Sequence, residues 1–331
     1  MKAVVMTATG GPEVLQLQEI DKPAIATPTG VLVKLKAAGI NPVDTKLRRG
    51  LYPIEQLPAV LGCDGAGVVA AIGTGVSRCK PGDEVYFFYG GIGTVQGNYA
   101  EYIVLDERLV ARKPGSLDFI HAAAAPLVLL TAWESLYDRA RLQAGQTVLI
   151  HAGAGGVGHV AIQLAHGSGA RVCTTVGSAE KAVFVKELGA DRVINYKEQD
   201  FVKAVLDWTH GHGVDIAMDN VGGAMIEATF PAVRHYGDMV TLLQPGADVN
   251  WTVARQRNLR FSMEIMLSPL LFNLVEAQKH QTWILEQCAR LFDEEKLRIH
   301  VSRVLPLARA AEAHAEIEKG SATGKLVLTI G

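Results

Sequence analysis

The feature that most constrains the fold is a regular alternation of apolar runs and helical segments between residues 147 and 243. Helices are predicted over residues 157–166, 179–188 and 201–209, and again after the fourth run. Continuous apolar strands that alternate with helices are typical of a parallel sheet covered on both faces. The pattern therefore predicts a doubly wound α/β domain. The apolar runs are "TVLIHAG", "RVCTTV", "RVINY", "VDIAMDNVG" and "DMVTLL".

A glycine-rich loop, "HAGAGGVGHVAIQLA", joins the first of these strands to the first helix. Gly153, Gly155 and Gly158 stand in GxGxxG register, with Gly156 inserted. The first glycine permits a tight turn, the second lets backbone approach a pyrophosphate at the helix N-terminus, and the third lets helix and strand pack closely. Because the loop follows a strand and begins an alternating series, it predicts dinucleotide binding.

The segments on either side have a different character. Residues 1 to about 115 carry short β-branched runs punctuated by glycine and proline, which indicates an irregular, barrel-like β domain. A helix is predicted to start in "SLDFIHAAAA". The last sixty residues or so contain a helix, a strand "VSRVLPL", a second helix and a strand "KLVLTI". A chain of 331 residues with 49% hydrophobic residues is expected to form two globular domains.

Charge and cysteine content exclude several classes of partner. The chain has 32 basic and 34 acidic residues, so no basic surface for nucleic acid or an anionic membrane is expected. A small-molecule partner fits better. The four cysteines form no CxxC pair and are interpreted as free thiols of a reducing compartment. The longest apolar stretch, residues 122–133, is too short to span a bilayer, so a soluble, cytoplasmic protein is expected.

Taken in order along the chain, these segments resemble the medium-chain dehydrogenase/reductase superfamily, in its zinc-independent quinone oxidoreductase (zeta-crystallin-like) branch. The resemblance implies a GroES-like irregular β-barrel catalytic domain, residues 1–122 and 265–331, with an NADP-binding Rossmann domain, residues 123–264, inserted in it. It also suggests a homodimer paired through the strand containing "NLRFSME". The segments that carry it are "GGPEVL", "AAGINPVDTKLRRGLYP", "LGCDGAGVVAAIG", "GDEVYFF", "GNYAEYIVL", "AGAGGVG", "DNVGG", "RNLRFS" and "GKLVL".

The resemblance also bears on metal binding. In zinc-dependent members a histidine ligand stands where this chain has Cys63, and two cysteine ligands stand at the positions of Asn41 and Leu127. A catalytic zinc needs about three protein ligands of nitrogen, sulfur or carboxylate type. We therefore expect no catalytic zinc. Cys63 is interpreted as a small buried residue, with a reactive thiol as the alternative.

Without a Lewis acid, the hydride acceptor must be electrophilic in itself, as quinones and enones are. The resemblance places Asn41 near the nicotinamide and Tyr52 in the cleft, so both are catalytic candidates. The alternatives are turn chemistry for Asn41 and a covering loop aromatic for Tyr52. The neighbouring Lys46, Arg48 and Arg49 are interpreted as a solvated face, with an anionic substrate or cofactor phosphate as the alternative.

The end of "RVCTTV" favours NADPH over NADH. NAD-selective Rossmann domains carry an acid there, whereas this strand ends in Val176 and Gly177. Ser178 and Lys181 follow and can supply a hydroxyl donor and a positive charge to a phosphate, with an ordinary exposed helix lysine as the alternative for Lys181. Glu180 is interpreted as a helix-start residue. Leu243 replaces a glycine that the family has near the nicotinamide. The expected cofactor-binding residues are Asn41, Lys46, Thr131, Gly153, Ala154, Gly155, Gly156, Val157, Gly158, Gly177, Ser178, Lys181, Tyr196, Asn220, Leu243 and Lys325.

Three functions follow as hypotheses. The first is an NADPH-dependent reductase of quinones or activated carbon–carbon double bonds. The second is an enoyl-thioester reductase. The third is a relative that binds NADPH without turnover, since a fold does not fix a function. The intact glycine loop, together with Asn41 and Tyr52, favours an enzyme.

Overall fold

The structure is a computed structural model that describes residues 1–54, 56–92 and 95–331. It divides into two compact units. One comprises residues 1–130, 267–295 and 299–331, and is called the outer unit here. The other comprises residues 131–266 and 296–298, and is called the inserted unit.

The elements of both units are numbered in chain order. The strands are β1 Lys2–Met6, β2 Leu15–Glu19, β3 Gly30–Ile40, β4 Ala59–Val60, β5 Asp64–Ile72, β6 Glu84–Phe88, β7 Tyr102–Asp106, β8 Ala111–Arg112, β9 Thr147–Ile150, β10 Arg171–Val176, β11 Arg192–Asn195, β12 Val214–Asp219, β13 Val233–Thr241, β14 Arg260–Met263, β15 Val301–Pro306 and β16 Lys325–Thr329. The helices are α1 Pro42–Arg48, α2 Phe119–Ala124, α3 Pro126–Trp133, α4 Gly156–Gly167, α5 Ala179–Glu187, α6 Phe201–Trp208, α7 Ala224–Thr229, α8 Thr252–Gln256, α9 Ser268–Leu271, α10 Val275–Asp293 and α11 Ala310–Glu318.

The inserted unit contains the predicted parallel sheet. Its strand order is β11-β10-β9-β12-β13-β14, and every neighbouring pair is parallel. Counted within the unit this order is 3-2-1-4-5-6, the doubly wound arrangement of dinucleotide-binding domains. Leu149, Cys173, Ile194, Ala217 and Met239, one from each of five strands, belong to its buried core. These strands are continuous apolar runs because both faces of the sheet are covered.

The outer unit is built from antiparallel pairs and one parallel pair. The described residues form a sheet in the order β15-β16-β3-β5-β6-β8, with β7 also paired to β3, and a smaller sheet β2-β1-β4. The β3–β5 ladder contains two register shifts, as the irregular β domain predicted from the sequence would require. The C-terminal strand β16 pairs antiparallel with β3 and sets Leu326 opposite Ile40. The end of the chain thereby completes the domain that its beginning started.

The predicted domain boundaries lie close to those of the two units but do not coincide with them. The prediction placed the first boundary at residue 122, whereas the chain passes from the outer unit to the inserted unit between residues 130 and 131. Helix α3, Pro126–Trp133, runs through this point, so no turn signal marks it in the sequence. Among the described residues, no helix combines the length and the apolar character that a bilayer crossing requires.

Candidate active site

Asn41 lies at the junction between β3 and α1. It precedes Pro42, the first residue of α1, and the Asp44 carboxylate accepts a hydrogen bond of 2.8 Å from the Asn41 backbone N–H. A polar residue followed three positions later by an acid is a helix-start signature, and proline is favoured at the first helical position. The turn-chemistry interpretation of Asn41 therefore describes its backbone. Its side chain points into a buried polar cluster and is 1% exposed.

Asp64, the first residue of β5, binds this side chain. Its Oδ2 accepts a hydrogen bond of 2.8 Å from Asn41 Nδ2, and its Oδ1 accepts one of 2.8 Å from the Leu127 backbone N–H. Lys325, at the start of β16, lies 3.4 Å from Asp64 Oδ2. The Lys325 ammonium also donates to Ile40 O at 3.0 Å and to Asn41 Oδ1. One carboxylate and one ammonium thus enclose a single amide.

The contacts decide the charges of this pair. Burial raises the pKa of Asp64 and lowers that of Lys325, and each partner opposes the shift of the other. The three groups that face Asp64 are all hydrogen-bond donors, and an ionised carboxylate can accept from all of them. Lys325 faces only oxygen acceptors, which matches a charged ammonium with three N–H donors. Asp64 and Lys325 therefore form a buried ion pair with 0% and 3% side-chain exposure.

A second group of side chains surrounds the Asp44 carboxylate. The Cys63 thiol lies 3.6 Å from Asp44 Oδ1, the Tyr99 hydroxyl lies 3.0 Å from Oδ2, and His314 Nε2 lies 3.1 Å from that hydroxyl. Burial, together with the charge of Asp64, raises the pKa of Asp44 to about 7, although the hydrogen bonds that it accepts lower it. Burial also lowers the pKa of His314 to about 3, so this ring is neutral.

Cys63 is fully buried, and burial followed by the nearby carboxylates raises the pKa of its thiol well above the usual value. A reactive thiol needs an accessible site that favours the thiolate. The structure therefore supports the interpretation of Cys63 as a small buried residue that donates to Asp44.

The prediction of a solvated basic face is wrong for Arg48. Its side chain is 1% exposed, pairs with Glu318 at 2.5 Å and donates to Gly10 O at 3.0 Å. The planar guanidinium has several donors in fixed directions, and through them it joins α1 to Glu318 and to the Gly10 backbone. These partners allow the charged group to be buried. Lys46 lies over the ring of Tyr52 at 5.8 Å, and Tyr52 is 44% exposed. Arg49 is also exposed.

The glycine loop of the inserted unit has the geometry that its spacing predicts. A Cβ on Gly153 would lie 2.0 Å from Thr174 Oγ1, and one on Gly158 would lie 2.4 Å from Ala152 O. Neither position has room for a side chain. At Gly155, the nearest atom to such a Cβ is the Ala152 oxygen at 3.2 Å, so this backbone remains open to a ligand. Gly155 caps α4, a helix of 12 residues whose first N–H groups can bind a phosphate.

Four predicted residues meet at the carboxyl ends of β10 and β11. Ser178 caps α5 and accepts a hydrogen bond of 3.3 Å from the Lys181 backbone N–H. Tyr196 is 53% exposed, and its hydroxyl lies 2.7 Å from the position of a Cβ on Gly177. Glu180 lies in the first turn of α5, which confirms its interpretation as a helix-start residue. The hydroxyl groups of Ser178 and Tyr196 thus lie at the ends of these strands, and Lys181 lies in the first turn of α5.

The turn after β12 lies next to the glycine loop. Asp219 accepts hydrogen bonds from Val221 N at 2.9 Å, from Gly222 N at 3.0 Å and from Thr241 Oγ1 at 2.8 Å, which fix this turn. Asn220 Nδ2 donates to His151 O at 2.8 Å. Its Oδ1 is buried and has no partner among the described residues.

This orphaned oxygen is an acceptor that a bound ligand can use, so the residues of the inserted unit fit a dinucleotide. Among the other expected residues, Leu243 packs its side chain against Gly222. Thr131 is a buried residue of α3, and Ala154 and Val157 flank the Gly155–Gly156 pair.

The group around Asp44 was not predicted from the sequence. The spacing of Asn41 and Asp44 was a usable signal for their contact, since it matches a capping box. Tyr99 and His314 gave no such signal, because 215 residues separate them along the chain.

Comparison with known proteins agrees with this architecture. Residues 27–115 match the alcohol dehydrogenase GroES-like domain, and residues 188–328 match a family described as zinc-binding dehydrogenase. The quinone oxidoreductase of Pseudomonas aeruginosa is 34% identical over 330 residues, which cover 99% of both chains. The Escherichia coli quinone oxidoreductase, solved with NADPH, superposes with a TM-score of 0.89 at 30% identity over all of both chains. A structure described as an NAD-dependent alcohol dehydrogenase superposes with a TM-score of 0.91 at 36% identity, also over all of both chains.

These matches define an oxidoreductase with a GroES-like domain and a Rossmann domain, as the sequence predicted. The chain belongs to the zinc-independent quinone oxidoreductase branch of the medium-chain dehydrogenase/reductase superfamily.

Proposed function

We propose that this enzyme uses NADPH to reduce quinones or activated carbon–carbon double bonds, such as those of enones and alkenals, without zinc. The observation that carries the cofactor assignment is the set of side chains at the ends of β10 and β11. Ser178, Lys181 and Tyr196 would supply donors to a 2'-phosphate, and no acid ends β10 to accept from a ribose hydroxyl. The NADPH bound by the Escherichia coli relative agrees with this choice.

The remaining predicted contacts follow from the glycine loop and the turn after β12. The backbone from Gly153 to Gly158 and the cap of α4 would bind the pyrophosphate. Asn220, with its orphaned oxygen, and Leu243 would contact the nicotinamide, and Lys46 and Thr131 would supply further contacts. Lys325 is left out of these cofactor contacts, because its three N–H donors already face three oxygens of the outer unit.

NADPH supplies the hydride when it is bound. The protein must then stabilise the negative charge that develops on the substrate oxygen, and preorganised donors do this most effectively. The Tyr52 hydroxyl is exposed and can donate, and the Asn41 amide retains a second N–H. Water delivers the proton that completes the reduction.

Electrostatics support catalysis without a metal. The ammonium of Lys325 already lies between the Asn41 and Asp64 oxygens, and it would repel a divalent cation. In the described part of the chain, no three His, Cys, Asp or Glu side chains are grouped so that they could hold a metal ion. A substrate that needs no Lewis acid therefore suits this site.

The proposal includes a cytoplasmic homodimer. Strand β14 forms one end of the parallel sheet; its last residue, Met263, and the nearby Ile265 are 56% and 55% exposed. An open strand edge with apolar neighbours favours pairing with a second chain. Light scattering should give a dimer mass, and Met263→Asp should shift it toward the monomer.

All four cysteines are free, which agrees with a reducing compartment.

The test is NADPH and NADH oxidation measured separately over a panel of quinones, 2-alkenals, enoyl thioesters and simple ketones. The proposal predicts turnover of quinones or enones with NADPH. Preference for enoyl thioesters would favour the alternative of an enoyl-thioester reductase. Turnover of simple ketones with NADH would refute the proposal and favour an activity like that of the NAD-dependent alcohol dehydrogenase neighbour.

A further inference from the structure

The Lys325 ammonium is enclosed by the outer unit. Its three N–H bonds match three acceptors, namely Ile40 O, Asn41 Oδ1 and Asp64 Oδ2, and the residue is 3% exposed. The pairing of β16 with β3 puts the start of β16 beside Ile40 and so beside Asn41. No N–H remains on this ammonium for a phosphate, which argues against the direct cofactor contact predicted from the sequence.

These contacts fix the orientation of the Asn41 amide. Its Oδ1 faces the ammonium, and its Nδ2 faces the Asp64 carboxylate at 2.8 Å. A flipped amide would set NH2 against the ammonium and Oδ1 against the carboxylate, and both contacts would be repulsive. A cation on one side and an anion on the other therefore allow only one orientation.

The fixed orientation leaves one hydrogen-bond donor without a partner. Asn41 Nδ2 carries two N–H bonds, and its only acceptor among the described residues is Asp64 Oδ2. The residue is 1% exposed, and a buried N–H without an acceptor is costly. Such a donor is retained at little net cost where a ligand oxygen completes the bond.

We propose that Lys325 and Asp64 are positioning residues, which hold the Asn41 amide so that its second N–H donates to the substrate oxygen that takes up negative charge. This inference rests on the proposed reductase function. It assigns to Lys325 an action through Asn41 rather than contact with the cofactor.

A double-mutant cycle tests this action. Lys325→Met should lower kcat tenfold or more, since a misoriented donor no longer stabilises the developing charge, and the Kd of NADPH should change less than twofold. Asn41→Ala should lower kcat by a similar factor. Adding Lys325→Met to Asn41→Ala should then change kcat less than twofold, because the group through which Lys325 acts is gone. Kd is measured by fluorescence titration without substrate.

Folding defects are separated by two further variants. Lys325→Met alone leaves Asp64 buried and unpaired, so the paired variant Asp64→Asn/Lys325→Met restores charge balance while still releasing the amide. It should fold and still show the low kcat. Lys113→Met is the matched control, because Lys113 is another largely buried lysine of the outer unit, 5% exposed and 3.1 Å from Glu84. It should keep the wild-type kcat.

One readout does not depend on turnover. The side-chain amide signals of Asn41, identified in a 1H–15N spectrum by their absence from Asn41→Ala, should shift in Lys325→Met and stay in place in Lys113→Met. If no quinone or enone is reduced by the wild type, the reductase proposal fails while this spectrum still reports on the amide.

Three results would overturn the inference. They are an unshifted amide signal, a wild-type kcat in the paired variant, or a tenfold weaker Kd of NADPH in Lys325→Met with kcat retained. The last would return Lys325 to the cofactor site.

Discussion

The buried carboxyl of Asp44 should make the stability of the protein depend on pH near neutrality. Its pKa is raised from 3.8 to about 7 in the folded chain. Between these values the folded protein keeps a proton that the unfolded chain has lost, so unfolding releases a proton and the free energy of unfolding falls as pH rises. At about 1.36 kcal/mol per unit of pKa shift, the whole effect is about 4 kcal/mol.

Asp44→Asn removes this titration and keeps the shape of the side chain. We expect the free energy of unfolding of wild type, relative to that of the variant, to fall by about 3 kcal/mol between pH 5 and pH 8 and to level off above. Histidines with lowered pKa values, such as His151 and His314, act in the opposite sense, but they are present in both proteins. Comparing the two proteins therefore isolates the contribution of Asp44.

The assay is urea unfolding followed by tryptophan fluorescence at several pH values from 5 to 8. Asp21→Asn is the control for the loss of one carboxyl group, because Asp21 is an exposed aspartate of the same unit. A constant difference between wild type and Asp44→Asn across this range would refute the assignment. It would show that the hydrogen bonds from Asn41, Tyr99 and Cys63 keep Asp44 ionised in spite of its burial.

Three further predictions concern the site. Dialysed protein should contain far less than one zinc per chain and keep its activity with chelators, and a stoichiometric, tightly held zinc would contradict this. Tyr52→Phe should lower kcat more than the affinity for NADPH. The loss of transition-state stabilisation should be smaller than the roughly 2.7 to 4 kcal/mol for one donor in a dry site, since Tyr52 is 44% exposed. Kinetics equal to wild type with every substrate would make it a packing residue. Lys181→Ala should lower kcat/KM with NADPH and leave that with NADH nearly unchanged, and a wild-type preference for NADH would reverse the assignment.

The inserted unit could be predicted from the sequence almost element by element. The sequence predicted a helix over residues 157–166, and α4 spans Gly156–Gly167, while "RVCTTV" is β10 from end to end. The glycine spacing also predicted where backbone must pack without side chains. These features depend on neighbours along the chain, because an apolar run, a cap and a tight turn are each specified within about a dozen residues.

The polar cluster of the outer unit was decided by the tertiary structure. The sequence singled out Asn41 and Lys325, but 284 residues separate them, and only the pairing of β16 with β3 brings the two side chains together. The burial of Arg48 has the same origin, since its partner Glu318 is 270 residues away. Whether a charged side chain is solvated or buried depends on what packs over it. The sequence by itself determined which backbone segments form strands, helices and the phosphate loop, and the packing between distant segments determined which charges meet and which amide orientation they impose.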